Sequence, residues 1–266
     1  MIADFGSGGM RIVGFVLAVM LAGCAGKSNT MPPGTADADK FLFDRGTEAA
    51  KDRKWINARE YFRNLVDNYP QSPFRPDAKL ALGDTYVGEH STESLLLGAN
   101  EFREFLTFYP THARADYAQL QLARCYVEQM LAPERDQTAT RDAIKEIEIF
   151  LQRYPNSALM PEARKMERDA KDRLSQANYR VGYYYFRVQW YVGAIDRFRD
   201  VLAADPAFTN RDAVYYHLAE SLYRTDKKTE ALPYYERLLR EFEKSDYLEA
   251  TQKRVAELKG GSPAGK

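Results

Sequence analysis

Three scarcities narrow what this chain can do. Histidine occurs three times in 266 residues. His90, His112 and His217 lie apart, with no metal-ligand spacing to cysteine or carboxylate, and are read as loop or helix-surface residues. Cysteine occurs twice, too few for a disulfide framework. Net charge is missing altogether, since 38 basic residues offset 38 acidic ones. A balanced chain has no electrostatic pull toward nucleic acid, so no nucleic-acid partner is expected. No apolar run reaches the roughly 20 residues of a membrane span. A phosphate-binding loop, a dinucleotide fingerprint and a nucleophile elbow are also lacking. The expectation is a non-enzyme with no catalytic residue, no metal and no cofactor beyond a covalent lipid.

What is present begins with an address. A basic residue, Arg11, precedes an apolar run from Ile12 to Met20, the layout of an export signal. The run closes on Leu21-Ala22-Gly23-Cys24, which resembles a bacterial lipobox. That resemblance implies a signal peptide over 1–23, acylation of Cys24 and a membrane attachment through lipid. Either Met1 or Met10 could start translation, and Met10-Arg11 gives the usual basic opening. Residues 24–38 are small and polar, a lipidated flexible tether with a reach of roughly 45 Å when extended. With Cys24 lipidated, Cys125 has no disulfide partner and is expected to be buried in a helix face. Residues 260–266 read as a disordered tail.

From residue 39 onward strand signals are nearly absent and one helical pattern recurs. A small residue is followed by a second small residue, an apolar or aromatic residue four positions later, and proline eight further on. Gly46, Ala58, Phe62 and Pro70 form the first set; Gly83, Gly98, Phe102 and Pro110 the second; Ala123, Ala143, Ile147 and Pro155 the third. Gly182, Ala194, Phe198 and Pro206 form the fourth, and Ala219, Ala231 and Tyr235 the fifth, with Glu243 in place of proline. This is the tetratricopeptide (TPR) pattern of paired antiparallel helices A and B. Proline ends helix B because it has no amide to donate and clashes with the preceding turn. The fold expected is all-α, a TPR-type solenoid of five repeats with a long helix joining repeats 3 and 4. Repeats 1–3 fill 39–158. The linking helix, repeats 4 and 5 and a capping helix over 245–259 fill 159–259. Extra residues near Gly88–Leu97 and Leu131–Thr140 are expected between helices A and B.

Such a stack recognises partners through its helix-A face. The TPR register puts Phe43, Asp84, Tyr117, Leu120 and Arg124 there in the first half, a candidate groove for an extended peptide. The densest aromatic stretch runs from Tyr179 to Tyr191. Tyr185 and Trp190 are assigned to the core. Tyr183, Tyr184 or Phe186 must face elsewhere, since a helix cannot bury four consecutive aromatics on one face, and exposed tyrosines favour docking.

The lipobox, tether and five repeats, with the repeat ends Tyr69-Pro70-Gln71-Ser72-Pro73, Tyr109-Pro110 and Tyr154-Pro155-Asn156-Ser157, resemble the BamD family of the outer-membrane β-barrel assembly machine. The most specific block is Tyr183-Tyr184-Tyr185-Phe186-Arg187 with Tyr191-Val192-Gly193-Ala194-Ile195-Asp196-Arg197-Phe198. The resemblance implies a lipoprotein on the periplasmic face of the outer membrane. Its implied partners are a BamA-like POTRA/β-barrel protein, other lipoproteins of the machine and targeting segments of unfolded outer-membrane proteins. It implies a POTRA-facing role for Arg197, and Tyr183, Tyr184 and Phe186 are grouped on that side. Gln189 departs from the family, where glycine is common, and Asp196 from the usual asparagine. Ala25 after the lipidated cysteine fits outer-membrane delivery. The alternative is another TPR lipoprotein of the envelope, a pilus-assembly pilotin or a cell-division or cell-wall coordinator.

Overall fold

A computed structural model describes residues 37–260, so the expected signal, Cys24, most of the tether and nearly all of the tail fall outside the described residues. The described residues form helices and no strand. In chain order these are α1 (Ala38–Lys51), α2 (Trp55–Asn68), α3 (Arg75–Glu89), α4 (Thr92–Phe108), α5 (Ala115–Val127), α6 (Thr138–Arg153), α7 (Met160–Arg187), α8 (Tyr191–Ala204), α9 (Arg211–Arg224), α10 (Lys228–Glu241) and α11 (Leu248–Leu258). From α2 onward each packs on the next in sequence, with lesser contacts between α3, α5, α7 and α9, and α1 shares a cluster with α2 and α3; each repeat thus touches its neighbours, as in a solenoid.

The small–aromatic spacing works as a lock between helices A and B. A Cβ placed on Gly46 would sit 2.6 Å from the Phe62 ring, on Gly83 2.7 Å from Phe102, and on Gly182 2.7 Å from Phe198. Each ring therefore fills the notch its glycine leaves. Ala123 faces Ile147 in one cluster, and Ala219 and Tyr235 share another. All five knobs are almost completely buried. Removing one such ring costs about 3–5 kcal/mol in a packed core.

A second recurring device ties each repeat to the next. In the turn after helix B a hydroxyl donates to an aspartate on the preceding helix A. Ser157 reaches Asp116 at 2.6 Å, Thr209 reaches Asp172 at 2.6 Å and Ser245 reaches Asp212 at 2.6 Å. Ser72 bonds Asp39 in the same way, and repeat 2 substitutes Arg114 on Asp77 at 3.2 Å. Ser72, Ser157 and Ser245 also accept the amide two residues on, which turns the chain into the next helix.

The two insertions behave differently. In repeat 3 the extra residues form a loop from Glu128 to Gln137 between α5 and α6. In repeat 2 only His90 and Ser91 lie between α3 and α4; the extra residues lengthen the helices. His90 takes a left-handed conformation (φ 59°) and Ser91 caps α4 through a reciprocal bond pair with Ser94, which closes the hairpin in two residues.

Helix α7 spans 28 residues and serves two repeats. Its first half covers α6 through Ala163, Met166 and Ala170. Its second half is helix A of repeat 4 and packs on α8 and α9. The junction is pinned by a buried acid: Asp205 accepts from both terminal nitrogens of Arg168 and from Ser175 Oγ at 2.8 Å. Burial opposes the charge on Asp205, but Arg168 and Ser175 outweigh it and hold the carboxyl below its usual range. Glu220, accepting from Tyr235 at 2.5 Å and from Arg254, ties α11 to the last repeat likewise.

Candidate functional site

The helix-A face of repeats 2 and 3 is polar. Tyr117 on α5 donates to Asp84 on α3 at 2.7 Å, and Gln121 donates to the Tyr117 hydroxyl at 2.7 Å. The Arg114 guanidinium lies 4.6 Å from the centre of the Tyr117 ring. Burial raises the Asp84 carboxyl, with Tyr117, Arg114 and Arg124 pulling the other way. Burial and then the Asp84 charge push Tyr117 up to about 12. Arg124 is ion-paired with Glu162 at the start of α7. These side chains form a connected wall of donors and acceptors that crosses two repeats and reaches the linking helix.

Two residues expected on that wall are placed differently. Leu120 is 2 % exposed and packs with Phe150 and Ala163; α7 covers the side of α5 that would otherwise be open, so Leu120 is a core residue and offers no groove surface. Phe43 is half-buried, stacked on Phe74 at 5.4 Å and tilted against Phe62 at 6.0 Å. It lies on repeat 1, with no bond to the Asp84–Tyr117 pair.

The helix-A face of repeats 4 and 5 is aromatic. His217 on α9 is its hub, with ring centres of Tyr183 and Phe186 at 5.0 Å, Tyr216 at 5.2 Å, Tyr247 at 5.3 Å and Tyr179 at 5.8 Å. The histidine is 5 % exposed, which corrects its assignment to a surface. Its Nδ1 lies 2.7 Å from the Ala213 carbonyl and 3.1 Å from the Tyr179 hydroxyl. Burial lowers its pKa below the ordinary value, so the ring is neutral near pH 7.

The four residues grouped toward one partner divide between two faces. Successive helical residues are about 100° apart, so Tyr183 and Phe186 join the histidine hub while Tyr184 points away from it, 62 % exposed. Arg197 follows Gly193 by one turn on α8, exposed and without an ion pair. Its Cβ lies 3.2 Å from where a Gly182 Cβ would be. Repeats 2, 3 and 5 bridge the corresponding positions: Lys79 to Glu101 at 2.5 Å, Gln119 to Glu146 at 2.8 Å, Tyr215 to Tyr234 with centres 6.3 Å apart. In repeat 4 the pair is Asn178 and Arg197, which make no such contact.

Trp190 is not core. It is 56 % exposed, its ring in edge contact with Tyr185 at 4.6 Å. It occupies the N-cap of helix B, where repeats 1 and 5 place Lys54 and Lys227 with similar backbone angles. Superposing the repeats on their small residues would have exposed this in sequence, since a turn position filled twice by lysine has no interior to fill. The preceding residue, Gln189, has φ 63°; the left-handed backbone explains why glycine suits this position.

Among the described residues no group of three or more His, Cys, Asp or Glu could hold a metal ion, and no helix is long and apolar enough to cross a membrane. Residues 35–219 match the family YfiO, described as outer membrane lipoprotein. The chain belongs to this family. Residues 213–245, which take in most of α9 and all of α10, match the tetratricopeptide repeat family. Curated relatives include the outer membrane protein assembly factor BamD of Caulobacter vibrioides, 28% identical over 219 residues, 81% of this chain and 68% of that protein. The factor of the same name from Vibrio cholerae is 22% identical over 203 residues, 73% of this chain and 82% of that protein. Among solved structures, the crystal structure of MamA protein aligns at 13% identity over 87% of this chain and 100% of that one, with a TM-score of 0.36.

Proposed function

We propose that this family member is a lipid-anchored periplasmic scaffold and client receptor in the assembly of β-barrel outer-membrane proteins. Cys24 is its lipidation site and holds it at the inner surface of the outer membrane. The C-terminal repeats dock a barrel-forming partner with periplasmic POTRA domains, and other lipoproteins of the machine assemble around the same stack. The N-terminal repeats take targeting segments of unfolded clients. The observation that carries the reading is Arg197, an exposed cation at a position that other repeats bridge, on a helix pair that also exposes Tyr184 on α7. An acidic side chain of the partner would complete Arg197 with a charge-assisted bond. Tyr183 and Phe186 hold the neighbouring helix-A face in shape. In the N-terminal half Asp84, Tyr117 and Arg124 supply hydrogen bonds for an extended peptide backbone, and Phe43 offers an apolar edge.

The test is affinity purification of the tagged full chain from detergent-solubilised envelopes. A POTRA-bearing barrel protein should co-purify, and Arg197→Glu should reduce its recovery at least about tenfold, as expected when a desolvated charge pair is broken. Absence of any such protein from the wild-type preparation would overturn the reading.

A further inference from the structure

The face of α7 that carries Val181 and Tyr184 is, in every other internal repeat, an interface with the preceding helix B. The position before the small residue is Leu82, Leu122 and Leu218 in repeats 2, 3 and 5, and the position two after it is Thr85, Cys125 and Ser221. All are at most 2 % exposed. The leucines and Cys125 share clusters with α2, α4 or α8 of the repeat before. In repeat 4 these positions are Val181, 43 % exposed, and Tyr184. Their natural cover would be α6, but the first half of α7 already occupies α6.

The chain caps the equivalent face elsewhere with charge. Repeat 1, first in the stack, has Arg45 and Glu48 there, ion-paired at 2.8 Å, as terminal repeats require for solubility. Repeat 4 leaves the face apolar. Its open side is a groove of about 610 Å³ between α7 and the repeat-3 loop, lined by Ala177, Val181 and Tyr184 on one wall and Arg135 and Arg141 on the other. Arg180 on the rim is paired with Glu134 at 2.6 Å, while Arg135 and Arg141 are exposed, Arg141 lying in the field of Asp136 on the same wall. A further position keeps the imprint of a helix. Tyr86 and Tyr126 accept bonds from Arg63 and Arg103 of the preceding helix B, at 2.9 and 2.7 Å. Tyr185 stands at the same place in repeat 4, and its hydroxyl has no such donor.

We propose that this groove receives an amphipathic α-helix of a partner protein, its apolar face on Val181 and Tyr184 and its acidic flank against Arg135 and Arg141. The footprint is that of the absent helix B, and the three guanidiniums of the lining, Arg135, Arg141 and Arg180, against the two carboxylates of Glu134 and Asp136 leave a positive balance that sets the sign of the flank. A recessed groove suits a rod rather than a flat bilayer. The groove shares Tyr184 with the proposed partner contact, whereas Arg197 lies outside its lining; the peptide test uses no POTRA protein and so reads the groove whether or not that contact holds.

Two stapled helical peptides with identical Ala/Leu/Phe faces, one flanked by Glu and one by Lys, provide the probe, read by fluorescence anisotropy against the purified full chain. The Glu peptide should bind at least about tenfold tighter than the Lys peptide. Val181→Glu should weaken it by a similar factor, and the double reversal R135E/R141E should move the preference to the Lys peptide. Arg197→Glu and the remote Leu97→Glu should leave both affinities unchanged. The double reversal involves exposed side chains only, so it decides the matter even if Val181→Glu fails to fold. Equal binding of the two peptides, no binding of either, or insensitivity to R135E/R141E would overturn the proposal. So would adsorption to phosphatidylglycerol vesicles through Arg135 and Arg141 without peptide binding.

Discussion

Repeats 2 and 3 and repeats 4 and 5 present the same helix-A face in different chemistry. In the first pair the face is a chain of hydrogen bonds, Asp84 to Tyr117 to Gln121, with Arg124 paired across to α7. In the second it is a set of rings around a buried histidine, Tyr179, Tyr183, Phe186, Tyr216 and Tyr247 about His217. The lock beneath both is identical, a glycine or alanine against a ring or isoleucine. The backbone repeat therefore fixes where the faces are, and the side chains above it fix what they can bind. A polar wall exchanges bonds with a peptide backbone at small net cost, whereas an aromatic hub is rigid and gains little from rearranging.

That contrast can be broken most severely at the hub. His217→Ala leaves a void among six rings, those of Tyr179, Tyr183, Phe186, Phe198, Tyr216 and Tyr247, and the expected loss is about 2–4 kcal/mol in urea unfolding of the full chain. Tyr117→Phe removes a donor from a half-buried carboxylate without opening a cavity, and should cost less, about 1–2 kcal/mol. Equal losses would mean that the two faces are not built on different principles.

The pH dependence should separate the faces too. His217 has a folded pKa below its ordinary value of 6.5, so its contribution to stability is present above that value and is lost as the pH falls below it. The melting temperature should therefore decline between pH 7 and 5, and His217→Phe should flatten the decline. Asp84 has the opposite sign: its folded pKa is raised from 3.8, so its protonation on acidification favours the folded state. Asp205 and Glu220 are both lowered, and the stability they add disappears as the pH falls below the ordinary carboxylate range. A melting temperature independent of pH from 7 to 5 would contradict the buried neutral histidine.

Cys125 tests the packing of the polar half. It is fully buried, and burial pushes its thiol up to about 12, so a folded sample at pH 8 should leave it unmodified by a water-soluble thiol reagent while urea exposes it. The smallest effect expected is at Gln189→Gly. Relief of a left-handed non-glycine residue, set against the added freedom of the unfolded chain, should raise stability by about 0–1 kcal/mol.

The stack itself was legible in the sequence because its lock uses residue types with a strict spacing. Gly182 and Phe198 announce each other across 16 positions, since a Cβ at Gly182 would sit 2.7 Å from that ring. The capping helix and the burial of Cys125 followed from the same periodicity. The departures come from contacts that spacing does not encode. Leu120 has the TPR register of a face residue, but α7 runs on past its own repeat and covers it. His217 looks like a helix-surface histidine until its neighbours from α7 and the α11 turn are brought together. Trp190 is aromatic and so invites a core assignment, although its turn position is filled by lysine in other repeats. The repeat-2 insertion gave no loop because His90 and Ser91 alone close that hairpin. The division of Tyr183 and Phe186 from Tyr184 follows from helical geometry, but which face met histidine and which met the repeat-3 loop depended on the fold.

The central claim is that the two halves serve different partners. Site-specific photo-cross-linking in intact envelopes tests it most directly, with a photoreactive residue at position 184 or 117 of the full-length chain. The account predicts one dominant adduct from position 184, to a barrel protein with POTRA domains, and a set of adducts from position 117 to newly exported barrel proteins, the latter disappearing when export is blocked. The same adducts from both positions, or client adducts from position 184 and the POTRA protein from position 117, would contradict it.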